Sequence, residues 1–163
     1  LYDPSNSGLK GDANGDGVYN QDQDEFIELV NNSTEPLDIS DYKIYDAIAL
    51  ANNTPRHIFP KGTVVPAGKA IVVFGGGIPK GAFGNSIVQT ASGGLLNLNN
   101  DSDFITINDA NGKTILTFDI SPLSDNPNES YTRNPDLTGD FVQHSTIGKA
   151  LFSPGQKVDL SNF

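Results

Sequence analysis

Near the amino terminus, Asp12-Ala13-Asn14-Gly15-Asp16-Gly17 sets three oxygen-bearing side chains at alternate positions and closes with a glycine. A hard divalent cation such as calcium takes roughly six to eight oxygen ligands, and a tightly curled backbone turns every second side chain inward to supply them. Glycine in the sixth place allows the sharp bend after which a backbone carbonyl, here that of Val18, becomes available. The spacing therefore predicts a calcium loop with Asp12, Asn14, Asp16, the Val18 carbonyl and Asp24 as ligands, and Asn20 and Asp22 as substitutes. In the helix-loop-helix version a carboxylate closes the cage at the twelfth position. Counting from Asp12, that place holds Gln23, flanked by Asp22 and Asp24 with Glu25 just beyond, so the register is shifted. The competing reading is a polar turn rich in Asp, Asn and Gly. Asp109-Ala110-Asn111-Gly112 repeats the first four residues but continues with Lys113, a cation where the third carboxylate belongs, and reads as a hairpin turn.

Other candidates for chemistry are few. The two histidines, His57 and His144, lack any sequence sign of a positioned nucleophile or orienting partner, and structural hydrogen bonds are expected of both. Gly75-Gly76-Gly77 with Lys80 departs from the phosphate-loop spacing, and a β-turn is expected there. Asn99-Asn100-Asp101-Ser102-Asp103 offers oxygens to a second cation near Asp101 and Asp103, although without the glycine of a calcium loop it reads as a solvated hairpin loop. Arg133 and Asp136 frame Asn134-Pro135, where an ion pair would brace the C-terminal loops.

Composition narrows the function classes. With 20 acidic against 10 basic residues the chain carries a net charge of -10, a surface that repels phosphate backbones and argues against nucleic-acid binding. There is no cysteine, which excludes disulfides, thiolate catalysis and cysteine-based metal sites within the chain. The absence of any methionine predicts a fragment or a processed chain from which a signal sequence has been removed. No apolar run approaches the roughly 20 residues that span a bilayer, so membrane insertion is not expected. An acidic, cysteine-free, calcium-loop chain has the character of an exported bacterial protein, extracellular or at the cell surface.

The elements that must carry these residues are strands. Runs of β-branched and aromatic residues recur between clusters of Gly, Pro, Asn and Asp, with no sustained helical period. The pattern predicts an all-β chain of about nine short strands, near residues 25–31, 42–46, 57–59, 69–74, 86–90, 104–109, 114–118, 130–134 and 141–143, arranged as a sandwich. The unbroken apolarity of Ala70-Ile71-Val72-Val73-Phe74 implies a central strand. From Ser121 onward long ordered loops are expected, with a small helical turn between Ser145 and Leu151. The expected organisation is a single domain over residues 1–163, with an arm carrying the calcium loop (1–24) ahead of the sandwich and its C-terminal loops (25–163).

The order of segments resembles the bacterial lamin tail domain family. The residues that carry the likeness are Asp24 to Asn31, Leu37-Asp38-Ile39-Ser40-Asp41-Tyr42, His57 to Gly68, Ile71 to Gly77, Leu95 to Asn97, Asp103 to Ile107, and a tail from Ser130 through His144 to Gly155. The resemblance implies an immunoglobulin-like β-sandwich without catalytic residues, one module of a larger surface or extracellular protein that serves in attachment, assembly or protein-protein interaction. The absence of a rod and of a basic surface departs from the nuclear version, as does a calcium loop, which would pin the amino-terminal arm to the sandwich. A carbohydrate-binding module on the same sandwich, taking a polysaccharide, is the alternative; the lack of tryptophan deprives it of the usual aromatic platform.

Overall fold

The computed structural model of the chain describes residues 1–123 and 127–163. The stretch of the expected C-terminal loops at 124–126 lies outside the described residues. Two sheets face each other. The first has three strands in the order β1 (Phe26–Val30), β6 (Ala70–Phe74), β7 (Ile87–Thr90), with β1 antiparallel and β7 parallel to β6. The second is fully antiparallel, in the order β4 (His57–Ile58), β3 (Lys43–Tyr45), β8 (Phe104–Asn108), β9 (Thr114–Asp119). A two-residue ladder joins β2 (Leu37–Asp38) to β5 (Val64–Val65), and a separate hairpin pairs β10 (Tyr131–Asn134) with β11 (Asp140–Gln143).

Alternation along the strands divides the apolar residues between two clusters. Ile27, Ile71 and Val73 of the first sheet meet Ile44, Ile105 and Ile107 of the second, with Phe59, Leu96 and Ile120 filling the space between. The opposite face of the first sheet is apolar as well: Phe26, Val72 and Phe74 pack there with Ala13, and Phe83, Val88 and Phe152 lean against them. This is why β6 is buried at every position, as its unbroken apolarity predicts. Phe26 and Phe74 meet edge to face, a favoured arrangement of ring quadrupoles.

The expected nine strands all appear, with boundaries shifted by a residue or two. The short pair β2 and β5 was not expected, and two brief helices interrupt the β pattern. Helix α1 (Gln21–Asp24) is capped by the Asn20 side chain, and α2 (Ala47–Ala51) by Asp46, whose carboxylate accepts from the Ala49 N–H at 2.6 Å. Asp46 therefore ends β3 one residue earlier than its β-rich neighbours suggest. The expected helical turn near Ser145 is a single 3-10 turn at His144–Thr146. The Asp109–Lys113 turn is a hairpin turn as read: the Asp109 carboxylate accepts from the N–H groups of Asn111 and Lys113 at 2.9 and 2.8 Å. The 99–103 segment is not a hairpin loop, since it lies on the crossover from β7 of one sheet to β8 of the other. No helix among the described residues is long and apolar enough to cross a membrane.

Candidate metal centre

The 12–17 loop is curled by its own side chains. An Asp12 carboxylate oxygen accepts from the Gly17 N–H at 3.0 Å, the Asn14 side-chain oxygen from the Asp16 N–H at 3.0 Å, and Asp16 Oδ1 from the Val18 N–H at 2.9 Å. Asp24 fastens the two ends together, taking the Asn14 N–H on one oxygen at 3.1 Å and the Asn20 N–H on the other at 2.8 Å. Asn14 and Asp24 are completely buried, whereas the Val18 side chain is 64% exposed, as suits a position that offers only its carbonyl. The two substitutes fall elsewhere. The Asn20 side-chain oxygen accepts from the Asp22 and Gln23 N–H groups and is spent on starting α1, and Asp22 is exposed on that helix. Ala13, between Asp12 and Asn14, is buried in the second apolar cluster and anchors the loop to Phe26 and Phe74.

The triple glycine does more than turn the chain after β6. A Cβ on Gly75 would collide with the Asp22 carbonyl, and one on Gly77 with the Asn14 carboxamide nitrogen. Around that same Gly77 position lie Asp16 Oδ2, 2.8 Å away, and the Gln23 side-chain oxygen, 3.3 Å away. Gly77 also has φ of 73°, which side-chain-bearing residues rarely adopt. The 75–80 segment is thus a clamp on the acidic loop: Asn14 Nδ2 donates to the Gly76 carbonyl at 3.4 Å, Lys80 N to the Asn14 carbonyl at 2.8 Å, and the Lys80 ammonium to the Asp16 carbonyl at 3.3 Å. Gln23, dismissed at the twelfth position because it is not a carboxylate, brings an oxygen to the same point as Asn14 and Asp16. A neutral oxygen carries no acidic signature, so only the count from Asp12 could have found it.

Among the described residues, no group of three or more His, Cys, Asp or Glu side chains stands together as a metal site. Any cation here would need amide and carbonyl oxygens beside the loop's carboxylates. One observation fits such an ion: Asp12 Oδ1 is buried and has no hydrogen-bond partner, an uncommon and costly state for a carboxylate oxygen. The donors are all hard oxygens, which suits calcium.

Burial governs the local electrostatics. Asp24 is held above the usual carboxylate range by burial, partly offset by the N–H groups of Asn20 and Asn14. Glu25, only 2% exposed, is pushed up to about 8, chiefly by burial and against the N–H of Leu98 that donates to it at 3.1 Å. Glu25 is thereby a structural group rather than a ligand, and forms one wall of a polar hollow of about 270 Å³ shared with Gln21, Asn97 and Asn100.

The remaining candidates resolve into structural roles. His57 Nδ1 accepts from the Ser92 N–H at 3.2 Å, so Nε2–H donates to Gln89 at 2.9 Å, and burial lowers its pKa. His144 is fully buried between the Ala150 carbonyl and Ser153 Oγ at 2.9 and 2.8 Å. This Ser-His contact has no carboxylate behind the imidazole, and it ties the 150–153 segment to the hairpin. The Asp103 carboxylate accepts from the N–H groups of Ala47, Asn99 and Phe104, which spends it on bracing, while Asp101 is exposed. Arg133 does not pair with Asp136; its guanidinium lies 4.3 Å from the Phe141 ring centre and donates to the Gly139 carbonyl at 2.7 Å. The one ion pair found among the described residues joins Arg56 to the buried Asp46 at 2.7 Å.

No curated protein matches the chain. The family model of the Lamin Tail Domain matches residues 7–121, from just before the acidic loop to the end of β9, and leaves out the C-terminal tail that the resemblance above included. That family is non-enzymatic and immunoglobulin-like, in keeping with the two facing sheets. With most of its length matched, the chain belongs to the lamin tail domain family.

Proposed function

We propose that this lamin tail domain is a non-catalytic interaction module, exported from its cell, whose amino-terminal arm is pinned by a calcium ion at Asp12, Asn14, Asp16, the Val18 carbonyl and Asp24. The observation that carries the calcium reading is the orphaned, buried Asp12 Oδ1 in a loop of hard oxygens. Support comes also from Ala13, which ties the loop to the second apolar cluster, so that ordering the loop orders the face of the sheet beneath it. Export follows from the same reading, because free calcium is plentiful outside cells. Attachment or assembly is the role that a family without catalytic chemistry suggests.

Calcium titration by calorimetry on metal-stripped protein, repeated with Asp16→Ala, tests the site. The expected result is saturable binding in the parent, lost in the variant, with a thermal midpoint that calcium raises and EDTA lowers. No binding in the parent and an unchanged midpoint would overturn the calcium reading.

A further inference from the structure

The three most exposed large apolar side chains among the described residues all border the acidic loop: Ile78 is 72% exposed, Val18 64% and Leu9 61%. Each is fixed to that loop by its backbone. The Leu9 carbonyl accepts from the Asp12 N–H at 3.3 Å, the Val18 N–H donates to Asp16 Oδ1 at 2.9 Å, and the Ile78 N–H donates to Asp16 Oδ2 at 3.4 Å. Single exposed aliphatic residues are ordinary on a protein surface, whereas three around one polar loop mark a surface that meets something else.

The charge of this rim depends on the ion. Asp12, Asp16, Asp22 and Asp24 stand against the exposed Lys10 and Lys80, whose ammonium lies 3.3 Å from the Asp16 carbonyl. Four formal negative charges against two positive ones leave -2, which one divalent cation brings to 0. The cage is also incomplete. The groups offered by Asp12, Asn14, Asp16, Val18 and Asp24 fall short of the roughly six to eight oxygens that calcium takes, and both Asp24 oxygens already accept N–H groups. Open positions on the ion therefore face outward, and hard oxygens from another molecule suit them.

We propose that the calcium-loaded loop docks on an anionic phospholipid surface, with headgroup phosphate oxygens completing the cage and Leu9, Val18 and Ile78 entering the boundary between headgroups and acyl chains. A bilayer suits this rim better than a folded partner does, because the three side chains project from the surface and line neither the 270 Å³ hollow nor the apolar slot of about 350 Å³ beside β1. Lys10 and Lys80 add the attraction of basic side chains for anionic headgroups. Calcium is the switch: the bare loop repels such a surface and the loaded loop does not. Screening over roughly 8 Å keeps the remaining acid of the chain from deciding the outcome. Docking of this kind lays the module on the bilayer and does not span it. The inference names the partner of the calcium site and rests on that reading.

Co-sedimentation with vesicles tests it, using phosphatidylcholine alone and phosphatidylcholine mixed with phosphatidylglycerol, each in calcium and in EDTA. Retention is expected on the anionic vesicles in calcium and in none of the other three conditions. Leu9→Ser combined with Ile78→Ser should weaken retention about tenfold or more. Its calcium affinity by calorimetry should match that of the parent, since neither side chain supplies an oxygen ligand, and a thermal melt establishes that it folds. Calcium-loaded parent that stays in the supernatant, equal retention in EDTA or on phosphatidylcholine alone, or full retention of the double variant would overturn the docking and leave the calcium site standing. Capture of a polyglutamate peptide by loaded parent that ignores the vesicles would give the open positions to an acidic polypeptide and overturn it as well. A parent that binds no calcium in the calorimeter refutes the calcium reading itself, so the two failures are distinct.

Discussion

Glu25→Gln isolates one buried acid whose charge the fold disfavours. The native carboxyl titrates at about 8, against 4.5 for the ordinary side chain. The folded state thus holds a proton that the unfolded state has released throughout that window. The sign follows from linkage: this residue's contribution to stability is complete below about pH 4.5 and is lost as pH rises through about 8. A difference of ~3.5 units at ~1.36 kcal/mol per unit amounts to about 5 kcal/mol across the window. The glutamine variant has no charge to bury, and its carboxamide oxygen keeps an acceptor for the Leu98 N–H. Urea denaturation at pH 5, 6, 7, 8 and 9 measures both proteins, and the difference between them removes the background from Glu28, which burial raises to about 7, and from the two histidines, which burial lowers. The variant should gain on the parent by up to ~1.4 kcal/mol per pH unit up to about pH 8 and level off above it. Parallel stability profiles would show that Glu25 is ionised in the native state and would refute the argument.

Four further outcomes are expected. Asp12→Asn, which keeps the shape of the loop, should weaken calcium binding at least tenfold by calorimetry, and at calcium one hundred times the parent's dissociation constant the parent should be about 2.7 kcal/mol more stable than in EDTA. Gly77→Ala should cost about 1–3 kcal/mol in urea denaturation and weaken calcium binding as well, because the added methyl has both the wrong φ and no room beside Asn14 and Asp16. Phe74→Ala, which hollows the second cluster, should cost about 3–5 kcal/mol by the same assay. Asp46→Ala removes the α2 cap and leaves the half-buried Arg56 without its carboxylate, and should lower stability by about 2–4 kcal/mol with a loss that persists in high salt, since Asp46 is buried.

The strands were legible because each half-buried strand needs alternation and the doubly covered β6 needs none. Both patterns are written locally, in residues such as Phe104 to Asn108 and Ala70 to Phe74. What was not legible depends on distant chain. The two-residue ladder of Leu37–Asp38 with Val64–Val65 is too short for any period, and helix α2 spans five residues, although Asp46 before an alanine- and leucine-rich run was a readable cap signal. The acidic loop was visible from its spacing, whereas its clamp was not: nothing near Gly75-Gly76-Gly77 says that Asn14 and Asp22 will press against it. Asp103 looked solvated among Asn and Ser, but it is buried, with the N–H of distant Ala47 meeting it alongside those of its neighbours Asn99 and Phe104. The Arg133 partner was misjudged for a similar reason, since proximity in sequence favoured Asp136 while the hairpin presented Phe141.

The limits of the family match and the limits of the packing unit do not coincide, and the outer face of the first sheet shows why. In a two-layer sandwich a sheet needs only one apolar face, yet Phe26, Val72 and Phe74 make the second face apolar too. Something must cover it, and the cover comes from both ends of the chain: Ala13 with the acidic loop from one side, Phe152 and the backbone at Gly155 from the other. Gly155 has no room for a side chain because it lies against the Phe83 carbonyl, and its N–H is the donor to Glu28 of β1. Residues 150–156 are therefore as much a part of the sandwich as β6 itself, although the family match ends at residue 121. The acidic loop and the 150–156 segment thus brace one face of β1 and β6 from opposite ends of the chain. Ordering the loop braces Ala13 against Phe26 and Phe74, the residues on which that outer face is built.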